Sequence, residues 1–120
     1  MRGDKKNLRY LYRTEKVTEE EGTETGFALD YYVLAKEVEV EQQKAIRYGI
    51  EIYKRGRRPG GTAYAEYRKI FDVFATEGEA MAVLDLMANN TVTPISMKEV
   101  LEDLLGIEDF AGEALFVEAV

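Results

Sequence analysis

Thr76-Glu77-Gly78-Glu79 and Ser96-Met97-Lys98-Glu99 are two short segments with the pattern of a helix-capping box. In this pattern the hydroxyl oxygen accepts a hydrogen bond from the backbone N–H three residues later, and the glutamate accepts one from the N–H of the capping residue. Apolar residues at helical spacing follow each box, which predicts that two helices begin here. Because the segments before them have the patterns of strands, the chain divides into a sheet half and a helical half.

Apolar stripes give the extent of the two predicted helices. The first stripe comprises Ala80, Val83, Leu84, Met87 and Ala88, and the second comprises Met97, Val100, Leu101, Leu104 and Leu105. Asn89-Asn90 ends the first helix and Gly106 suits a C-terminal cap of the second, while Pro94 favours an extended linker between them. We expect both stripes to cover the sheet, with Val83, Leu84, Leu101 and Leu104 in the core.

Alternating and branched residues before residue 76 predict about four strands. These are Leu8–Arg13, Phe27–Glu41, Ile46–Tyr53 and Tyr64–Ala75, with Gln42-Gln43 as the turn of a hairpin. Tyr31–Ala35 is apolar on both sides, which a bulge near Lys36 or burial of both faces would explain. The register of the fourth strand stays open. The predicted fold is a single α+β domain, with a mostly antiparallel sheet followed by two helices packed on one face.

The C-terminal tail, residues 107–120, combines apolar and acidic residues. Its spacing predicts a third short helix, and a segment that becomes ordered on contact is the alternative. A terminal segment without contacts is normally more polar, so we expect the tail to dock on its own domain or on a second copy. The candidate partner-binding residues are Phe110, Leu115, Phe116 and Val117.

The composition argues against catalysis, because the chain contains neither histidine nor cysteine. The commonest general base, the commonest zinc ligand and thiolate chemistry are therefore missing. We expect no enzyme activity, no cofactor and no metal site. The absence of cysteine favours a cytoplasmic location, and no apolar run approaches the ~20 residues that a membrane-spanning helix needs.

Charge is distributed unevenly along the chain, whose net charge is −7. Residues 76–120 hold ten acidic residues and one basic residue, a balance of −9, whereas residues 1–75 hold thirteen acidic and fifteen basic residues, a balance of +2. An acidic helical half beside a basic sheet half indicates either a solvated surface or a charged docking face.

Tyrosines and basic residues in the sheet half suggest a second kind of partner. All eight tyrosines precede residue 76, and residues 54–61 have the glycine and proline content of a loop. An open sheet face with aromatic and basic residues is one way in which proteins bind single-stranded nucleic acid. The candidate anion or nucleic-acid contacts in this basic loop are Lys54, Arg55, Arg57 and Arg58. The net negative charge weighs against such a partner.

Two stretches resemble a known family. They are Tyr48-Gly49-Ile50-Glu51-Ile52 and the segment from Ala88 to Ser96, continuing to Asp103. Together they are similar to small uncharacterised proteins, with a domain of unknown function, of clostridia-like Gram-positive bacteria. The similarity covers about residues 30–105, and it implies no activity, cofactor or site residue.

The function we expect from these observations is that of a non-catalytic protein-interaction or regulatory module. We expect a protein partner or self-association, and neither nucleic acid nor a membrane. The alternative is a module that binds single-stranded nucleic acid through the tyrosine- and arginine-rich sheet face and the basic loop at residues 54–58.

Overall fold

A computed structural model of the chain describes residues 7–18 and 26–106, together with the backbone of residues 116–119. The strands form one antiparallel sheet in which each strand lies beside the next one in the sequence. Two helices lie between the last two strands in the sequence. The elements are β1 (Asn7–Val17), β2 (Phe27–Val40), β3 (Gln43–Arg57), β4 (Ala63–Phe74), α1 (Glu77–Asn89), α2 (Pro94–Leu105) and β5 (Phe116–Ala119). The predicted α+β class, with four antiparallel strands and then two helices, is confirmed, and β5 adds a short fifth strand.

The β2–β3 hairpin forms the centre of the sheet. Its turn residues Glu41 and Gln42 have φ angles of 52° and 68°, the left-handed pair that a type I′ hairpin turn requires. The turn therefore lies one residue earlier than predicted. Pairing continues without a shift from Phe27 opposite Gly56 to Val40 opposite Gln43. Burial on both faces, and not a bulge near Lys36, accordingly explains the apolar first half of β2.

The two helices begin in different ways. At α1 the predicted capping box is present, since the Glu79 N–H donates to Thr76 Oγ1 at 3.2 Å and the Thr76 N–H donates to Glu79 Oε1 at 3.2 Å. The predicted box at Ser96 is wrong, because α2 begins at Pro94 after an N-cap at Thr93. Proline suits the first helical position, where its missing N–H costs no hydrogen bond and its φ is already helical.

Gly106 caps the C-terminus of α2 with a φ of 67°, as predicted. No helix in residues 7–18 or 26–106 is long and apolar enough to cross a membrane.

The core lies between the helices and one face of the sheet. Its fully buried side chains include Leu29, Tyr31, Val33, Ile50, Ile52, Ile70, Leu84, Met87, Met97 and Leu101. The Tyr31 hydroxyl donates to the Val92 carbonyl at 2.9 Å, which ties the connection between the helices to β2. Leu84 and Leu101 are core residues as predicted, and Val83 is partly buried against them. The prediction for Leu104 is wrong, because this side chain is 43% exposed near the end of α2.

The C-terminal tail reaches the sheet at its end. Residues 116–119 form β5, which pairs antiparallel with β4 and places Phe116 opposite Tyr67. The expected third helix, with Phe110 and Leu115, falls at residues 107–115, outside the described residues. The partner-binding role predicted for Phe110, Leu115, Phe116 and Val117 stays a prediction.

Leu101 and Leu104 form a matched pair for testing the core. Leu101 is 0% exposed, so Leu101→Ala should lower the free energy of unfolding by about 2–5 kcal/mol. Leu104→Ala removes the same atoms from an exposed site and should cost less than about 1 kcal/mol. Chemical denaturation of both variants measures the difference, and equal losses would contradict this packing of α2.

Candidate interaction face of the sheet

The helices cover one face of the sheet, and the opposite face, here called the open face, carries the candidate site. Side chains alternate between the two faces along each strand, and residues directly opposite each other on neighbouring strands share a face. The strand register therefore identifies the members of the open face. They include Arg9, Leu11 and Lys16 of β1, Asp30, Tyr32, Leu34 and Lys36 of β2, Arg47, Glu51, Tyr53, Arg55 and Arg57 of β3, and Tyr67, Lys69 and Phe71 of β4.

A buried carboxylate, Glu51, organises the middle of the open face. Its side chain is 3% exposed, and both of its oxygens accept hydrogen bonds from Arg9, at 2.7 Å from Nε and 3.2 Å from Nη2. The Arg9 guanidinium also lies 3.7 Å from the centre of the Tyr32 ring. The hydrogen bond to Glu51 raises the pKa of Arg9. Because Arg9 is on β1 and Glu51 on β3, this pair ties three strands together across β2.

Asp30 forms a second site of the same kind. Its carboxylate accepts hydrogen bonds from Arg55 Nε at 2.8 Å, from Arg55 Nη2 at 3.2 Å and from the Thr14 hydroxyl at 2.8 Å. The bond to Asp30 raises the pKa of Arg55. Buried charges are destabilising unless paired and hydrogen-bonded, so these two arginines are held over the sheet.

The charge of the open face is strongly positive. Its cations are Arg9, Lys16, Lys36, Arg47, Arg55, Arg57 and Lys69, whereas the carboxylates that reach it within residues 7–18 and 26–106 are Asp30, Glu51 and Asp72. Arg47 has a partner in Asp72, with Nε 2.6 Å from Oδ1. The Lys36 and Lys69 ammonium groups lie near the rings of Phe71 and Tyr67, and neither forms an ion pair within residues 7–18 and 26–106. These two lysines are the cations best placed to meet an incoming carboxylate.

A cleft of about 310 Å³ lies on the open face, next to Lys36 and Lys69. Phe71, which is partly exposed, gives it an apolar surface, and Leu34 lines it although it is only 2% exposed. The Arg9–Glu51 ion pair lies beside them. The complete lining is Asn7, Leu8, Arg9, Leu34, Lys36, Glu51, Lys69 and Phe71. Because Lys36 is on β2 and Lys69 on β4, cationic groups reach the cleft from both sides.

A bulge in β4 brings Phe71 to the cleft. Ile50 is opposite Ile70 and Tyr48 is opposite Phe74, so residues 71–73 of β4 stand against Gly49 alone. An added Cβ at Gly49 would lie 2.1 Å from the Ile70 carbonyl oxygen, so only glycine allows this approach. Asp72 completes the bulge with a φ of 60°.

The prediction that residues 54–58 belong to a loop is wrong. Lys54, Arg55 and Arg57 belong to β3, which continues to Arg57, and Arg58 alone of the four follows the strand. Lys54 is on the helix side, buried with its ammonium 4.2 Å from the Phe27 ring centre. Arg57 donates to the Gly61 carbonyl. The four cations therefore do not form one patch.

The tyrosines divide between the two faces. Tyr32, Tyr53 and Tyr67 are on the open face, and Tyr10, Tyr12, Tyr31, Tyr48 and Tyr64 are on the helix side. Tyr53 and Tyr67 stack on each other, with ring centres 5.6 Å apart. Only part of the predicted tyrosine-rich surface is thus available on the open face.

Several side chains of β1 fasten α1 to the sheet. The Tyr10 hydroxyl donates to Glu77, and the Tyr12 hydroxyl donates to Asp85 at 2.9 Å. Arg13 also contacts Asp85, at 3.1 Å. Burial and the hydrogen bond to Glu77 raise the pKa of Tyr10 to about 12. The acids at the start and middle of α1 are therefore used within the domain.

Glu99 and Asp103 of α2 are four residues apart, so their carboxylates lie on the same side of the helix. Within the described ranges, no three carboxylate, histidine or cysteine groups come together in a way that could hold a metal ion.

Among known proteins, a family model matches residues 9–106 of the chain. The chain belongs to DUF6514, a family of unknown function. The predicted resemblance to a domain of unknown function is confirmed, over a longer range than expected. No curated protein and no solved structure matches the chain. The DUF6514 match includes α1, α2 and nearly all of the first four strands, and it ends at Gly106, before β5.

The cleft of this DUF6514 domain is not predictable from local sequence patterns. Its parts lie far apart in sequence, with Arg9 and Glu51 separated by 42 positions. One feature of the sequence did indicate a site here. Glu51 lies between two isoleucines in the most regular predicted strand, and a carboxylate between buried residues needs a charged or hydrogen-bonding partner. The function of Gly49 in the Tyr-Gly-Ile motif depends on the β4 bulge, which no local pattern indicates.

Gly49 provides a direct test of the bulge. Gly49→Ala places a methyl group against the β4 backbone and should lower the free energy of unfolding by at least about 1–3 kcal/mol. Gly78→Ala is the matched control, because an added Cβ there meets nothing within 4 Å; it should be neutral or stabilising by up to about 1 kcal/mol. If urea denaturation gave Gly49→Ala the stability of the parent chain, the described approach of β3 and β4 would be incorrect.

Proposed function

We propose that this protein is a non-catalytic interaction module of the bacterial cytoplasm that binds an acidic segment of a protein partner across its open face. The observation that carries this proposal is the pair Lys36 and Lys69, which have no carboxylate partner in the described residues and flank an apolar-lined cleft. Complementary charge favours specific encounter between surfaces. A second copy of the chain, with its acidic helical half, counts as such a partner.

The electrostatics of the whole domain support a protein segment over nucleic acid. The net charge is −7, so a long polyphosphate chain would be repelled beyond the limits of the open face. Three of the basic residues there, Arg9, Arg47 and Arg55, are already neutralised by carboxylates. A short acidic segment needs only the remaining local positive charge.

The chemistry of the open face supports binding over catalysis. Asp30 and Glu51 accept hydrogen bonds from arginines on both oxygens, so both carboxylates are already engaged in ion pairs within the sheet. The cleft offers apolar contact at Leu34 and Phe71 and positive charge at the lysine ammonium groups, and protein interfaces use both for recognition.

Photo-crosslinking tests the proposal. A photoreactive amino acid replaces Tyr53 on the open face in one variant and Ile95, which is 61% exposed on α2, in the control. Both proteins are expressed in a clostridia-like Gram-positive bacterium, the source that the family resemblance implies. We expect one protein to be crosslinked from position 53 and not from position 95, with no loss after nuclease treatment.

Charge reversal identifies the surface. Lys36→Glu combined with Lys69→Glu should abolish that crosslink, whereas Lys98→Glu on α2 should not. A product formed equally from both positions, or one unaffected by the reversal, would contradict binding through the open face.

Single-stranded nucleic acid is the second candidate, favoured by Tyr32, Tyr53 and Tyr67 on the same face as Lys69. We expect no tight binding, because Tyr53 and Tyr67 already stack on each other and Arg9 covers Tyr32. Fluorescence anisotropy with mixed single-stranded DNA and RNA at physiological salt measures it. Micromolar or tighter affinity that falls with salt and is lost in the Lys36→Glu, Lys69→Glu variant would favour nucleic acid as the partner.

A further inference from the structure

The cleft at Leu34 and Phe71 has features that go beyond a basic surface. Its volume of about 310 Å³ is at the lower end of the range of ligand pockets, about 300–1,000 Å³. That size fits one large side chain and excludes a folded element. Leu34 is already buried, at 2% exposed, so an entering side chain would pack on the partly exposed Phe71 and the exposed Leu8.

The net charge around this apolar surface is positive. The lining contains Arg9, Lys36, Lys69 and Glu51, and Glu51 is neutralised by two hydrogen bonds from Arg9. Lys36 and Lys69 remain, from strands on opposite sides of β3. A group entering between them is favoured if it carries negative charge next to its apolar part.

We propose that the cleft is the anchor site for one aromatic or large aliphatic side chain of the partner segment, with a carboxylate next to it held by Lys36 and Lys69. This inference rests on the proposed function and makes it more specific. The open face provides general attraction, and the cleft selects an apolar residue flanked by acids. Interfaces of this kind commonly depend on one buried apolar anchor surrounded by polar contacts.

Other occupants fit the cleft less well. A purely acidic segment would leave the apolar surface of Phe71 without a partner, and a purely apolar one would leave Lys36 and Lys69 without a carboxylate partner.

Three acetylated, amidated pentapeptides test the anchor. Asp-Glu-Phe-Glu-Asp has both elements, Asp-Glu-Ala-Glu-Asp lacks the aromatic ring, and Asn-Gln-Phe-Gln-Asn lacks the carboxylates. Each is titrated into the full chain while ¹H–¹⁵N NMR follows the backbone amides. We expect the first peptide to bind with a dissociation constant on the order of 0.1–1 mM, with the largest shifts at Leu34, Glu51, Lys69 and Phe71.

Either change in the peptide should weaken binding at least about tenfold, because the ring supplies apolar burial and the acids supply the ionic contacts. Lys36→Gln with Lys69→Gln should weaken the first peptide about five- to tenfold. Lys16→Gln is the matched control, since Lys16 is on the open face and on β1 but about 24 Å along the strand from Arg9; it should leave the affinity unchanged. The NMR spectra themselves show whether each variant is folded.

The inference is overturned if the alanine peptide binds as well as the phenylalanine peptide, if the shifts lie away from the cleft, or if no peptide binds at millimolar concentration. Crosslinking from position 53 that persists despite such a result would mean that the open face binds a partner without using the cleft as an anchor. Peptide binding in the cleft without crosslinking from the open face would mean that the pocket exists and the proposed cellular function is wrong.

Discussion

The open face depends on two buried carboxylates and the arginines that neutralise them. Glu51 and Asp30 would each be costly to bury alone, and each is hydrogen-bonded at both oxygens by an arginine, Arg9 or Arg55. These pairs connect β1, β2 and β3 on the face that neither α1 nor α2 covers. They make the centre of the face a fixed, nearly neutral surface, and they leave the positive charge to lysines at its edge.

The helical side shows the complementary arrangement. Glu77 and Asp85 of α1 accept hydrogen bonds from Tyr10 and Tyr12 of β1, so part of the acidic charge fastens the helix to the sheet. The remaining acids of α2 lie on the side of the sheet opposite Lys36 and Lys69. The uneven charge along the sequence thus becomes a polarity between two faces of one domain, and this polarity is the basis for expecting an acidic partner on one side.

Local patterns predicted the elements well and the contacts between them poorly. The Thr76 capping box and the helical spacing that buries Leu84 in α1 and Leu101 in α2 depend on residues within a few turns, and both are confirmed. The Ser96 box failed because Pro94 already supplies a good first helical residue two positions earlier.

Long-range pairing accounts for the other differences. The basic loop failed because β2 offers partners to β3 as far as Phe27 opposite Gly56, so the strand continues through residues with loop-like composition. The register of β4 depends on a bulge against Gly49, and the cleft depends on side chains from four strands. Such strand pairings are determined by the assembled sheet and not by the local spacing of apolar residues in the sequence.

Methyl cross-saturation NMR on the complex with the crosslinked partner tests most directly whether the open face is the binding surface. Saturation of the partner should attenuate the methyl signals of Leu11 and Leu34 on the open face. Leu86 and Ile95, exposed on the helical side, should keep their intensity. Attenuation of Leu86 and Ile95, with Leu11 and Leu34 unaffected, would contradict the account and would assign binding to the helices.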